Sequence, residues 1–336
     1  RILSEDHAPV VCIVDTTHPD ELDSSAKPSK ELVKIRQMQS RMEELSGLRC
    51  LVLHYMQLKR ADLSKPNVRA VVVRAWKALR DEFHKNELYA MLRESDAPTI
   101  GFCGGHHQIY MAHGGKPGNL RPLRADEKDP NPGYFPGTFK EWGPTKIRIL
   151  KRDPLFEGFG DEMVMVEMHV AECKELPAEF DLLASSDECK AQVIKHKSRL
   201  VYGTQFHPEV YDDRSPDGRR LIRNFLGLAR RHTDARYRAH LAQVFGEGNA
   251  DAVREAHGAI EDLRSGYANS GAETYGADSL RADLQRIERT LGLLDKAPTA
   301  AVASQRKQLD AIRAVCRWRA EMGRVKGLTD CAAMAE

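Results

Sequence analysis

Ala97-Pro98-Thr99-Ile100-Gly101-Phe102-Cys103-Gly104-Gly105-His106-His107-Gln108 begins as a short apolar run and delivers a cysteine set among glycines. The apolar, helix-compatible residues Ile109 to His113 follow and stop at Gly114-Gly115. Strand, tight turn and helix, in that order, is the layout of a nucleophile elbow. There a strained turn exposes the nucleophile, and small neighbours let a substrate carbonyl approach backbone N–H groups. A cysteine beside a turn also has a plainer reading as a small buried hydrophobe. Catalysis needs a base elsewhere in the chain.

Leu200-Val201-Tyr202-Gly203-Thr204-Gln205-Phe206-His207-Pro208-Glu209 supplies one: a strand that delivers a histidine, then a proline, then a carboxylate. A cysteine nucleophile needs a base to form thiolate at neutral pH, and the base needs an orienting acceptor. Gly-x-Cys-x-Gly followed by Gln-Phe-His-Pro-Glu resembles the class I glutamine amidotransferase domain. Further similar residues are Asp153-Pro154-Leu155-Phe156-Glu157-Gly158, Met168-His169-Val170, Leu176-Pro177-Ala178-Glu179-Phe180, Asp217-Gly218 and Asn224-Phe225-Leu226. The similarity runs from about Pro9 to about Ala229, and is greatest to the glutaminase domain of guanosine monophosphate synthetase.

The pattern around these motifs is α/β. Val10-Val11-Cys12-Ile13-Val14, closed by Asp15, is a continuous apolar run of the kind that forms a buried parallel strand. A polar loop from Thr16 to about Ser29 leads to a helical stretch with Leu32, Ile35, Met38, Met42 and Leu45 at spacings of three and four, stopped at Gly47. Cys50-Leu51-Val52-Leu53 and Val68 to Val73 read as the second and third strands, and Ala78 to Leu92 as the helix returning to the Cys103 strand. This alternation predicts an open, mostly parallel sheet flanked by helices, with sites beyond the carboxyl ends of its strands. The resemblance implies the same flavodoxin-like fold. Gly114 to Gly143, rich in proline and glycine, is an irregular excursion: a lid or specificity element, or a plain surface insertion. Lys146 to Leu150, Met163 to Val166, Leu182 to Ala184 and Gln192 to Ile194 continue the sheet, and Arg219 to Ala229 is a closing helix.

Beyond about Arg230 the pattern is all helical, which divides the chain into residues 1–230 and an α-helical extension, 231–336. Leu280, Leu284, Ile287, Leu291 and Leu294 make a single-face stripe, with a helix start at Asp278-Ser279 and a break at Ala297-Pro298. The last helix sets Leu309, Ile312 and Cys316 against Arg306, Lys307, Arg313, Arg317 and Arg319. That basic side is either a solvated face or a site for an acidic partner. A formal net charge of +2 over 336 residues points to neither nucleic acid nor a membrane surface. No apolar run reaches the length of a membrane span. Seven cysteines without metal-type pairing suit reduced thiols in the cytoplasm, although Cys316 and Cys331 would bridge in an oxidising compartment. The chain opens at Arg1, which leaves a removed leader open.

By the resemblance, Cys103 is the nucleophile, His207 the general acid/base and Glu209 the carboxylate orienting His207. The expected reaction is hydrolysis of a γ-glutamyl amide, glutamine to glutamate and ammonia, through a γ-glutamyl thioester on Cys103. Neither cofactor nor metal is needed. The expected substrate is a small molecule, and ammonia transfer implies a separate synthetase partner that the C-terminal helices would engage. Gly104 and Gly105 after the nucleophile, Ala75 and Trp76 after the third strand, His107 and the substrate-side His169 complete the expected oxyanion and substrate site.

Two departures stand out. The family's substrate-holding glutamine is His107 here, and Gln108, one residue on, lies about 100° round the helix. The family's glycine-rich oxyanion turn is Arg74-Ala75-Trp76, with no glycine for a positive φ. A metal cluster of Cys103, His106, His107 and His113 lacks a second cysteine or carboxylate pattern. Two further readings stay open: an amidotransferase-like binding or regulatory protein that has lost catalysis, and a γ-glutamyl peptide hydrolase whose excursion shapes specificity.

Overall fold

β1 (Val10–Asp15), β3 (Val68–Ala75), β4 (Thr99–Cys103) and β11 (Val201–Thr204) run parallel at the centre of the sheet. Val10 to Val14 and Val71 to Val73 are buried without alternation, as a strand covered on both faces requires. The computed structural model describes residues 7–17, 30–59, 61–75, 85–213, 215–269, 277–295 and 299–325. β2 (Arg49–His54) flanks β1. Helix α1 (Lys30–Ser46) buries Ile35, Met38, Met42 and Leu45, the stripe read from its spacing. The helix before β4 is α2 (Lys85–Glu94); Ala78 to His84 lie outside the described residues.

On the other side of β11 the sheet turns antiparallel. β10 (Val193–His196), β9 (Phe180–Ser185), β6 (Glu141–Ile149) and β7 (Glu162–His169) extend it to the order β2-β1-β3-β4-β11-β10-β9-β6-β7. The links between β9, β10 and β11 are too short for the helical crossover that a parallel pair needs. The sheet is therefore parallel where it carries the cysteine and antiparallel beyond the histidine strand.

The excursion is more regular than its composition suggests. β5 (Lys116–Asn119) pairs antiparallel with β8 (Ala171–Glu175), and Pro117 is tolerated because this ribbon has only two strands. Pro122 then bridges Thr138, and Leu123 N–H donates to the Gly137 carbonyl (2.9 Å), closing a hairpin.

Arg74 explains one departure. Its side chain is buried and donates to Asp15 (2.8 Å), Thr17 (2.7 Å) and Glu31 (2.5 Å). Burial pushes the Glu31 carboxyl up, but Lys34 and Arg74 outweigh it and hold it below the usual range. Arg74 thus ties β3 to β1 and α1 and does not enter the site. Arg74→Met leaves Asp15 buried without its cation, so a loss of about 3–5 kcal/mol is expected in denaturant unfolding. A loss below about 1 kcal/mol would mean the pair is dispensable.

By their contacts the described residues group into two compact units. One takes in Val10–Arg41 and Cys50–Thr233; the other takes in the residues before Val10, Met42–Arg49 and those from Asp234 onward. Helix α4 (Asp217–Phe245) starts in the first and ends in the second. The closing helix outruns Ala229 because nothing there breaks it: Leu221, Ile222, Phe225 and Ala229 give way to Tyr237 and Leu241, and Gly246 (φ 85°) is the stop. In the second unit, α5 (Glu247–Asn269), α6 (Ala277–Leu294) and α7 (Thr299–Val325) share a core. Leu280, Ile287 and Leu294 are buried in it, with Leu284 and Leu291 packed alongside. On α7, Arg306 pairs with Asp295, and Arg313 with Glu288 and Asp310, which suits a solvated face better than a ligand site. Among the described residues, no helix is long and apolar enough to cross a membrane.

Candidate active site

Cys103 sits at the junction of β4 and α3 (Gly104–Ala112) with φ 47° and ψ −105°. It and Phe135 are the non-glycine residues at positive φ among those described. A β-carbon in the left-handed region costs about 1–2 kcal/mol, so packing has to impose the turn. Gly105 and Gly101 show how. A Cβ at Gly105 would lie 2.0 Å from the Val73 carbonyl oxygen, and one at Gly101 2.5 Å from the Gly105 backbone. Only glycines let α3 press onto β3 and β4 closely enough to tighten the elbow. The first N–H groups of α3, those of Gly104 and Gly105, have no carbonyl within the helix to bond to. Ala75 is the sheet partner of Cys103 on β3, which sets its backbone beside that residue; Trp76 lies outside the described residues.

The His207 segment reaches Cys103 because β11 pairs with β4. His207 N–H donates to the Val166 carbonyl (2.9 Å), and its Nδ1–H donates to Glu209 Oε1 (2.8 Å). Burial alone would lower the imidazole pKa. The charges of Cys103 and Glu209, with the hydrogen bond to Glu209, outweigh it and hold the pKa well above the ordinary value. Arg41 donates to the Glu209 carbonyl and stacks on the Tyr211 ring (4.5 Å). Gly218 permits the same close approach from α4, since a Cβ there would fall 2.2 Å from the Pro208 carbonyl oxygen. The His-Pro-Glu turn is therefore clamped from two helices.

His107 and Gln205 form a relay the sequence motifs did not assign. His107 Nε2–H donates to Gln205 Oε1 (2.9 Å), and Gln205 Nε2–H points to Cys103 Sγ (3.9 Å). Burial lowers the His107 pKa to about 4, so its ring is neutral at physiological pH. Gln205 lies two residues before His207, and the two-residue repeat of extended chain was the available signal. Gln108, although a helical rotation from His107, still lines the same cavity.

His169 lines the same cavity. Its Nδ1–H donates to the Ala171 carbonyl (2.9 Å), and Nε2 faces Glu141 (3.0 Å) and Glu167 (3.1 Å). Burial opposes the imidazolium, but Glu167 and Glu141 prevail and raise its pKa to about 10. Burial pushes the Glu167 carboxyl up. Glu141 also accepts from Ser186 Oγ (2.5 Å) and Gln192 Nε2 (2.8 Å). Both His169 nitrogens are thus used within the protein, and any substrate bond at this edge falls to the backbone of residues 168–171. The sequence reading missed Glu167, although it shares a face of β7 with His169 by the same two-residue repeat.

This imidazolium carries a pH prediction. A histidine whose folded pKa exceeds its unfolded value adds stability that is full below about pH 6.5. It is lost as pH rises towards about 10. Glu167, facing it with a raised pKa, acts in the same direction. The unfolding midpoint is expected to fall between pH 7 and pH 10, and His169→Gln to flatten that decline by a few kcal/mol. An unchanged slope in the variant would contradict a charged His169.

Cys103, His106, His107 and His113 do not converge on one point. His106 is fully buried against Gly203, and burial holds its ring neutral. His113 packs on Phe180 and His196. The donor group compact enough for a metal among the described residues is another one, Glu141, His169 and Cys189.

Cys103, Gly104, His107, Gln108, Gln205 and His169 line a cavity of about 470 Å³. The same cavity is also lined by Met111, Asn119, Asn131, Tyr134, Phe135, Trp142, Met168 and Val170.

Comparison with known proteins agrees with this geometry. The family model "Glutamine amidotransferase class-I" matches residues 78–228. The chain is 36% identical over 145 residues to a GMP synthase (glutamine-hydrolyzing) subunit of Archaeoglobus fulgidus, covering 43% of this chain and 68% of that one. It is 29% identical over 167 residues to the protein of the same name from Pyrococcus abyssi, covering 50% and 79%. The crystal structure of a putative GMP synthase subunit from Thermoplasma acidophilum superposes with a TM-score of 0.51 at 22% identity, over 69% of this chain and 98% of that one, a likeness of fold. From the elbow, the histidine strand and the extent of this match, the chain belongs to the class I glutamine amidotransferase family.

Proposed function

We propose that the chain hydrolyses the γ-amide of glutamine and passes the ammonia to a separate synthetase. The observation that carries this reading is Cys103 in its strained turn (φ 47°), at the end of a strand paired with the one that leads to His207, which Glu209 orients at 2.8 Å. The Cys103 thiolate adds to the γ-carbonyl carbon, and the Gly104 N–H at the head of α3 holds the oxyanion, with Gly105 and Ala75 alongside. His207 gives its proton to the departing nitrogen, leaving a γ-glutamyl thioester. His207 then takes a proton from water, whose oxygen attacks the thioester and releases glutamate.

Relatives named as one subunit of GMP synthase support a partner that holds the synthetase chemistry. The helical residues 231–336 contain no recognised synthetase motif, and we assign them to docking that partner. Six described cysteines, all free thiols, suit the cytoplasm.

The test is release of ammonia and glutamate from L-glutamine by the purified chain, with and without a synthetase partner. Glutamate formation that depends on Cys103 supports the reading. Absence of glutamate under both conditions overturns it and favours a binding protein.

A further inference from the structure

The cavity over Cys103 is larger and more apolar than free glutamine calls for. At about 470 Å³ it falls in the range of roughly 300–1,000 Å³ that buries drug-sized ligands. Tyr134, Phe135 and Trp142 are 38%, 50% and 42% exposed, and all three line it. The Tyr134 and Phe135 rings meet edge to face at 4.8 Å.

This wall is held in place. Lys140, whose side chain is wholly buried, donates to both Asp129 oxygens (2.8 Å each) and to the carbonyls of Phe135 (3.2 Å) and Thr138 (3.1 Å). Arg121 grips Glu188 and Glu127 through paired bonds of 2.7–2.8 Å and stacks on Phe139 (3.8 Å). Between these anchors Phe135 is set at φ 47°, a conformation that costs a phenylalanine about 1–2 kcal/mol. Such strain persists where the surroundings over-determine it, and it gathers at ligand clamps. A glycine would take this backbone without strain, whereas here the position carries a ring that lines the cavity.

The chemistry of the substrate says which end meets this wall. The glutamyl end carries an ammonium and a carboxylate, which need polar partners when desolvated. The ring faces offer no partner for a carboxylate or an ammonium of that kind, and the one hydroxyl and one indole N–H among the three side chains are few beside the backbone of residues 168–171 and the side chains of Asn119 and Asn131. The uncharged end, beyond the amide nitrogen, is the one that matches the rings. Resting on the hydrolase reading above, we propose that the site takes N-substituted γ-glutamyl amides whose nitrogen carries an apolar group of aromatic-ring size, held by Tyr134, Phe135 and Trp142. In the cleavage the Cys103–carbonyl bond forms and the C–N bond breaks. The substituted amine leaves with a proton from His207, and water resolves the thioester to glutamate.

The test compares γ-L-glutamyl-benzylamide with γ-L-glutamyl-2-methoxyethylamide, whose leaving amines are of similar basicity and of which only the first carries a ring. The full chain is expected to prefer the benzylamide by about ten- to a hundredfold in kcat/KM, the factor that burial of a ring supplies. Phe135→Gly, which relieves the strained turn and so should fold, is expected to bring that ratio close to one, as is Trp142→Ala. Equal rates for both amides, or a preference that neither variant reduces, overturns the proposal. Binding of the two amides to the Cys103→Ala chain separates this inference from the hydrolase reading. Ring-dependent binding that Phe135→Gly abolishes, with no turnover by the unmodified chain, keeps the pocket and removes the hydrolysis. Glutamine turnover with no ring-dependent binding does the reverse, and absence of binding by either amide overturns the proposal.

Discussion

Cys103→Ala is expected to lower kcat for glutamine by at least about 10⁴-fold on the proposed reading, in which removing the nucleophile of a concerted triad costs nearly as much as removing the whole. No other group can stand in for it. His207 is already bonded to Glu209, and Gln205 is an amide that reaches the sulfur from the side. The variant should fold, since alanine keeps the β-carbon and the sulfur it removes lies at a cavity already present. It also reports on the electrostatics. Negative charge at Cys103 helps raise the His207 pKa, so its loss should move the His207 titration, followed by NMR, to lower pH. Retained turnover, or an unmoved titration, would separate Cys103 from His207. Cys103→Gly should be equally inactive yet more stable by about 1–2 kcal/mol, because glycine carries no penalty at φ 47°.

Gly105→Ala is expected to cost about 3 kcal/mol or more of stability, at the upper end of what overpacking a core does. The added methyl would sit 2.0 Å from the Val73 carbonyl oxygen and 2.7 Å from its carbon. Both are main-chain atoms of β3, a strand held on either side by β1 and β4, so it cannot retreat. The helix would have to lift instead, and the elbow would open with it. A fall of roughly 6–12 °C in Tm corresponds to this cost. Gly114→Ala is the comparison: with φ 87° and open space around it, it should lose only the left-handed penalty of about 1–2 kcal/mol. Equal shifts in the two variants would refute the packing argument.

Much of the fold was legible because its signals are local. Val10 to Val14 announces a strand buried on both faces, and Leu280, Ile287 and Leu294 announce a helix stripe, since residue spacing alone sets which side chains share a face. The excursion was less legible, because proline and glycine hide the two-residue repeat of β5 and the anchors of its hairpin lie far apart in the chain. Arg121 meets Glu188, and neither residue predicts the other.

By itself, then, the sequence determined the α/β class and the helical C-terminal region, and it named Cys103, His207 and Glu209 as the candidate trio, since chain order and short spacings carry these. Tertiary structure alone decided that Arg74 is a buried tie to β1, that Gln205 links His107 to the cysteine, and that His169 is held charged between Glu141 and Glu167. It also decided that three aromatic residues from the excursion and β6 line one cavity with Cys103. The reason is physical: strand and helix patterns depend on neighbours along the chain, whereas charge state and cavity shape depend on groups brought together only by the register of β3, β4, β11 and β7.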